Sequence, residues 1–152
     1  MIKSLFKNIR NFFYEKLFKI NDSPQKISLG FGLGIFCGML PGTGPLAALF
    51  LAVLFRVNRA SALLASLITN TWVSLVTFVF SIKVGSAILG LDWRLVYNEA
   101  RQELANFTWQ ALFRGAVLNI AFPIVLGYLI LSFALGFISY LLILIILKLI
   151  KR

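Results

Sequence analysis

The sequence has no histidine, one cysteine and four prolines. Its acidic residues are only five: Glu15, Asp22, Asp92, Glu99 and Glu103. Each scarcity excludes some chemistry. Without histidine there is no Ser–His or Cys–His nucleophilic pair and no imidazole ligand for a metal. The single cysteine, Cys37, rules out an internal disulfide framework and metal-finger spacing. It sits in an apolar run, where a small packing residue is its ordinary role. No Asp, Glu or His falls inside a long apolar block, so the ionisable relay of a proton-coupled pump is missing. Asp92, Glu99 and Glu103 could form an acid/base set, but their spacing on a charged stretch reads as solvated surface. The expectation is therefore no enzyme, no catalytic residue, no metal and no cofactor.

What is abundant is hydrophobic sequence. Hydrophobic residues make up 60% of the 152 residues, against roughly 45–50% in ordinary soluble proteins. They fall into three blocks without charge, Ile27 to Phe55, Ala60 to Ile82 and Gly115 to Leu147. Each is longer than the roughly 20 residues that cross a bilayer core as a helix. The expected class is an all-α integral membrane protein. The net charge of +10 would suit nucleic acid. The basic residues instead flank apolar blocks, where membrane proteins carry them on the cytoplasmic side. No nucleic-acid partner is expected. The start of the chain does not read as a cleavable leader, because no short apolar core with a small-residue cleavage site follows the basic stretch.

Residues 1–22 read as a basic amphipathic interfacial helix. Ile2, Leu5, Phe6, Ile9, Phe13, Leu17 and Ile20 recur at helical spacing, with Lys3, Lys7, Arg10 and Lys19 mostly on the other side. That pattern suits the surface of an anionic leaflet; docking on the rest of the protein is the other reading.

Residues 23–152 read as a single membrane domain. Within it, 24–57 is a broken hairpin. Ser23 can cap a helix and Pro24 suits its first position. The apolar part to Leu40 would be about 21 Å long, too short for a core of roughly 30 Å. It stops at Pro41-Gly42-Thr43-Gly44-Pro45, and a second short arm follows to Val57. Two short arms with Lys26 at one outer end and Arg56 and Arg59 at the other predict a re-entrant hairpin; one long kinked helix is the alternative. Gly30, Gly34 and Gly38 recur every four residues and form a flat stripe for close helix packing. Ala47, Ala48 and Ala52 on the second arm, or another copy of the chain in a homo-oligomer, are the partners it could take.

Residues 60–82 read as a spanning helix, with Asn58 as its cap. Thr69-Asn70-Thr71 lies at its centre, and a mid-membrane Asn needs a partner. Two readings stay open: one crossing, or a second broken turn at Asn70. Residues 84–114 read as a surface segment, with Gly85 and Gly90 breaking its start and an apolar face on Trp93, Val96, Tyr97, Ala100, Leu104, Phe107 and Ala111. Residues 116–147 read as a membrane helix broken near 123–127, at Pro123 and Gly127. By the distribution of Lys and Arg, both termini face the cytoplasm and 84–114 lies outside. Lys83 fits that arrangement poorly.

The stretch from Ser23 to Gly90 resembles the bacterial membrane family named domain of unknown function 2062. The matching text is Ser23-Pro24, the run Gly30 to Gly38, Leu40-Pro41, Gly44, Arg56-Val57-Asn58-Arg59, Asn70, Gly85 and Leu89-Gly90. This chain departs from the family at Pro45, where Gln is frequent, and at Asn70-Thr71-Trp72-Val73, where Asn-Pro with a nearby Thr is frequent. Some members are joined to or lie near glycosyltransferases of envelope synthesis. The resemblance thus implies a bacterial inner-membrane protein linked to lipid carriers or envelope assembly.

The candidate ligand-binding residues are Pro41, Gly42, Thr43, Gly44, Pro45, Thr69 and Asn70, as a polar spot at mid-depth, with Arg56 and Arg59 as an interfacial phosphate site. Two functions follow. One is handling or transport of an anionic lipid such as a polyprenyl phosphate. The other is a non-catalytic scaffold for an envelope glycan or lipid synthesis complex, with an envelope glycosyltransferase as partner.

Overall fold

The computed structural model describes residues 22–40, 42, 44–69, 72–106 and 115–150. Six helices and no strand occur among the described residues. They are α1 (Pro24–Met39), α2 (Gly44–Leu54), α3 (Arg59–Ile68), α4 (Trp72–Leu89), α5 (Trp93–Ala105) and α6 (Gly115–Ile150). The expected interfacial helix over 1–22 lies almost wholly outside the described residues. The chain forms two compact units, one of residues 1–70 with 135–152 and one of residues 71–134.

In the first unit α1 starts as the sequence predicts. The Ser23 hydroxyl accepts from the Lys26 amide at 3.4 Å and Pro24 opens the helix. It stops at Met39, with Leu40 extended at φ −71 and ψ 128, the conformation a residue before proline is driven to adopt. α2 ends earlier than the expected Val57. Its terminus is a Schellman motif, in which the Arg56 amide donates to the Val53 carbonyl at 3.2 Å and the Val57 amide to the Ala52 carbonyl at 3.0 Å. Asn58 then caps α3, its side-chain oxygen accepting from the Ser61 amide at 2.7 Å. α1, α2 and α3 have 16, 11 and 10 residues, or about 24, 17 and 15 Å.

The glycine stripe packs on α3. A methyl group at Gly30 would lie 3.2 Å from the Asn58 carbonyl carbon, one at Gly34 2.7 Å from Ala65 Cβ, and one at Gly38 2.8 Å from the Ser66 carbonyl oxygen. Both sides of these contacts advance together along the chain, so α1 and α3 run parallel, and α2 is the return between them. This corrects the expectation that the second arm or another copy covers the stripe. α2 does contribute buried Ala48 and Ala52, but the stripe itself needs the approach of main chain to main chain, and α3 supplies it. The opposite edge of α1 meets the end of α6. A methyl at Gly32 would lie 2.6 Å from the Gly136 carbonyl oxygen, and Ile27 and Leu147 are buried together against Leu64 and Ile143.

Over 60–82, where the sequence leaves open both one helix and a second broken turn at Asn70, the structure has two helices. α3 ends at Ile68 and α4 begins at Trp72. Thr69 provides a physical cause: its hydroxyl donates to the carbonyls of Ala65 and Ser66, both at 3.2 Å, and such back-bonding competes with the helical ladder. Asn70 and Thr71, which follow, are weak helix formers.

In the second unit α4 runs straight through Gly85 and ends at Gly90, which has φ 68. The expected break at Gly85 does not form, because that glycine serves packing. A methyl there would lie 2.7 Å from the Pro123 carbonyl carbon, and one at Gly127 would lie 2.6 Å from that of Ser81. The paired positions run in opposite order, so α4 and the first part of α6 are antiparallel. The expected break near 123–127 is also absent. α6 is continuous through Pro123. Proline removes one ladder hydrogen bond, but Pro123 is buried and its carbonyl group lies against Gly85 of α4. α5 is the expected surface helix, capped by Asp92, whose carboxylate accepts from the Arg94 amide at 2.9 Å. It buries Val96 and Ala100 and ends at Ala105; Phe107 and Ala111 of the expected apolar face lie outside the described residues.

Among the described residues one helical stretch, Asn119–Ile150, is long and apolar enough to cross a membrane. The surface is unusually apolar in both units. Leu46 is 81% exposed, and Phe50, Leu54, Phe133, Phe137 and Leu142 are more than half exposed.

Candidate basic cleft

The parallel pairing of α1 and α3 sorts the first unit into two ends. At one end lie the stop of α1 and the stop of α3, where Gly38 meets Thr69. At the other lie the start of α1, the end of α2 and the start of α3. There the Asn58 amide donates to the Lys26 carbonyl at 3.1 Å.

This arrangement separates the two groups of expected ligand residues. Gly44 and Pro45 open α2, whereas Arg56 and Arg59 follow its end, about 17 Å away along a helix of that length. They do not form one site. Of the turn, Gly42 is exposed and left-handed at φ 81, and Gly44 has φ 52; Pro41 and Thr43 lie outside the described residues, as does Asn70. Thr69 is 6% exposed with its hydroxyl committed to two carbonyls of its own helix, so it packs against Gly38 rather than facing an opening.

The basic end is different. An open cleft of about 540 Å³ has Asp22, Arg56, Asn58 and Arg59 among its lining residues. Asn58 is its fixed element and is only 4% exposed. Its side-chain nitrogen donates to the Asp22 carboxylate at 2.7 Å, while its oxygen caps α3. One N–H and the oxygen of the amide are therefore both engaged. Arg56 and Arg59 are exposed on either side, and among the described residues neither guanidinium makes an ion pair. Two such planar forks bind phosphate oxygens in pairs, and the start of α3 adds a partial positive charge.

Arg56 holds an uncommon backbone conformation, φ 53, and is the sole non-glycine with positive φ among the described residues. α4 ends in the same motif, with the Gly90 amide donating to Ala87 and the Leu91 amide to Ser86 at 2.9 Å. There the left-handed position is glycine. At Arg56 a long charged residue takes the position that glycine fills without strain.

Residues 8–152 match the model of the family domain of unknown function 2062 (DUF2062), described as an uncharacterized protein conserved in bacteria. The chain belongs to this family. No curated protein and no solved structure matches it. The family assignment spans the cleft residues and both units, so the basic end is part of the family domain rather than an appendage to it.

The sequence pointed to Arg56 and Arg59 through their flanking of an apolar block, and to Asn58 as a cap. It gave no signal for Asp22, which lies 36 residues from the side chain it holds. In the second unit Lys83, awkward by charge counting, lies over the Trp93 ring at 4.8 Å from its centroid, with Arg94 at 5.8 Å. A cation on an indole face keeps part of its stabilisation away from bulk water. Among the described residues no group of three acidic or cysteine side chains could hold a metal ion.

Proposed function

We propose that this chain is an integral protein of the bacterial cytoplasmic membrane that binds the headgroup of an anionic lipid, such as a polyprenyl phosphate, in the cleft between Arg56 and Arg59. The observation that carries the reading is the pair of exposed guanidiniums, without an ion pair among the described residues, beside a rigid, buried Asn58. A phosphate would satisfy both. The surrounding chemistry supports it. The helices behind the cleft are short and apolar, and they expose Leu46, Phe50 and Leu54, which would contact acyl or prenyl chains. In this reading α1 and α2 form a re-entrant hairpin with its charged ends at the cytoplasmic face, and α6 spans.

The binding test uses purified protein in phosphatidylcholine nanodiscs titrated with farnesyl phosphate. The Arg56→Ala, Arg59→Ala double variant is expected to weaken binding at least tenfold, since each charged hydrogen bond contributes about 1.5–3 kcal/mol. Unchanged affinity, together with co-purification of an envelope glycosyltransferase, would instead support the scaffold reading.

Topology is tested by cysteine substitutions at Lys3, Lys151 and Glu99 in a Cys37→Ser background. The first two are expected to label from the cytoplasm and the third from outside. If the two termini label from opposite faces, the chain turns back after Ile68 and the proposed crossing fails.

A further inference from the structure

The cleft contains a carboxylate that an anion-binding site would not need. We propose that Asp22 holds the affinity of the cleft for an anionic headgroup low, so that the headgroup is exchanged rather than trapped; this rests on the reading of the cleft as a phosphate site. Asp22 lines the same opening as Arg56 and Arg59, yet it forms no ion pair with either among the described residues. Its carboxylate is spent on one neutral partner, the Asn58 side chain, at 2.7 Å. That hydrogen bond needs an acceptor oxygen, not a negative charge. A neutral amide at position 22 would provide the same oxygen. The charge is thus not needed for that hydrogen bond, and in the cleft lining it repels any anion that the two arginines attract. The arginines gather the ligand and Asp22 limits how long it stays.

The geometry separates the two roles of this residue. Asp22→Asn keeps an acceptor for Asn58 and removes the charge. Asp22→Ala removes both, and leaves a buried amide donor without its partner, which destabilises the fold. A like charge several ångströms from a bound phosphate in a wet cleft is worth about three- to tenfold in affinity. The effect must shrink as salt screens it.

The experiment compares the native chain, Asp22→Asn, Asp22→Ala and the double arginine variant in phosphatidylcholine nanodiscs. Farnesyl phosphate and inorganic phosphate are titrated separately at low and high salt, and the dissociation rate is read alongside thermal unfolding. Asp22→Asn is expected to melt like the native chain, bind farnesyl phosphate about three- to tenfold more tightly at low salt, and release it more slowly. Tightening toward inorganic phosphate as well would mean that the cleft reads the bare anion; tightening toward farnesyl phosphate alone would mean that the lipid chain is required. Either result supports the role of Asp22. If Asp22→Asn binds equally or more weakly while the double arginine variant loses binding, the charge does not limit affinity and this inference is overturned, with the phosphate site left standing. If the double arginine variant binds like the native chain, the phosphate site itself falls.

Discussion

Gly34→Leu is expected to abolish folding of the first unit, not to alter an oligomer. The methyl of an alanine at this position would already lie 2.7 Å from Ala65 Cβ and 2.9 Å from the Ala62 carbonyl carbon. One of these obstacles is main chain, and it cannot rotate away. Overpacking a core by a few methylenes costs about 1–3 kcal/mol where side chains yield; here α1 and α3 must separate along their length. The loss should exceed ~4 kcal/mol, the range reserved for a few severe mechanisms. Thermal unfolding in detergent and light scattering on the same sample test this together. A Gly34→Leu protein with native melting and a reduced oligomer would show that the stripe serves a second copy, contrary to the α1–α3 contact.

The second large effect runs in two directions at once. Arg56→Gly is expected to stabilise the fold while it weakens anion binding. The left-handed conformation at Arg56 costs of order 1–3 kcal/mol for a residue with a Cβ. Glycine removes that strain, and part of the gain is offset because glycine frees the unfolded chain. A net stabilisation of about 0.5–1 kcal/mol should remain. Binding of farnesyl phosphate should fall several-fold through loss of one guanidinium. Urea or thermal unfolding reads the first effect and titration the second. A variant that loses stability would show that the Arg56 side chain holds the cleft together; one that keeps its affinity would remove Arg56 from the site.

Local signals in the sequence were reliable where a few neighbouring residues decide the outcome. Ser23-Pro24 began a helix, that helix stopped at Met39 just ahead of Pro41, and Asn58 capped α3. Gly90 closed α4. Signals that depend on a distant partner were read only in part. The glycine stripe was visible, but its partner was not, because the parallel return of α3 depends on how α2 folds back. Pro123 and Gly85 both looked like breaks. Each instead lies in the other's contact surface, and that packing outweighs the local preference for interruption. Thr69 shows the converse. Its place in an uncharged run suggested a continuous helix, while its hydroxyl took two carbonyls of the last turn. At the cleft the arginines were legible from charge placement. The Asp22–Asn58 hydrogen bond was not, since no periodicity links residues so far apart.

The composition of the first unit, residues 1–70 with 135–152, bears on the order of events during synthesis. Gly32 and Ile27 wait for Gly136 and Leu147, more than a hundred residues later in translation. Until those emerge, one edge of α1 has no protein against it. At ribosomal speeds of about 5–20 residues per second, that interval lasts about 5–20 s, ample time for a bare glycine edge to meet the wrong surface. An insertion factor or chaperone that shields α1 would act in that window, and slowing translation between residues 70 and 135 would lengthen the exposure.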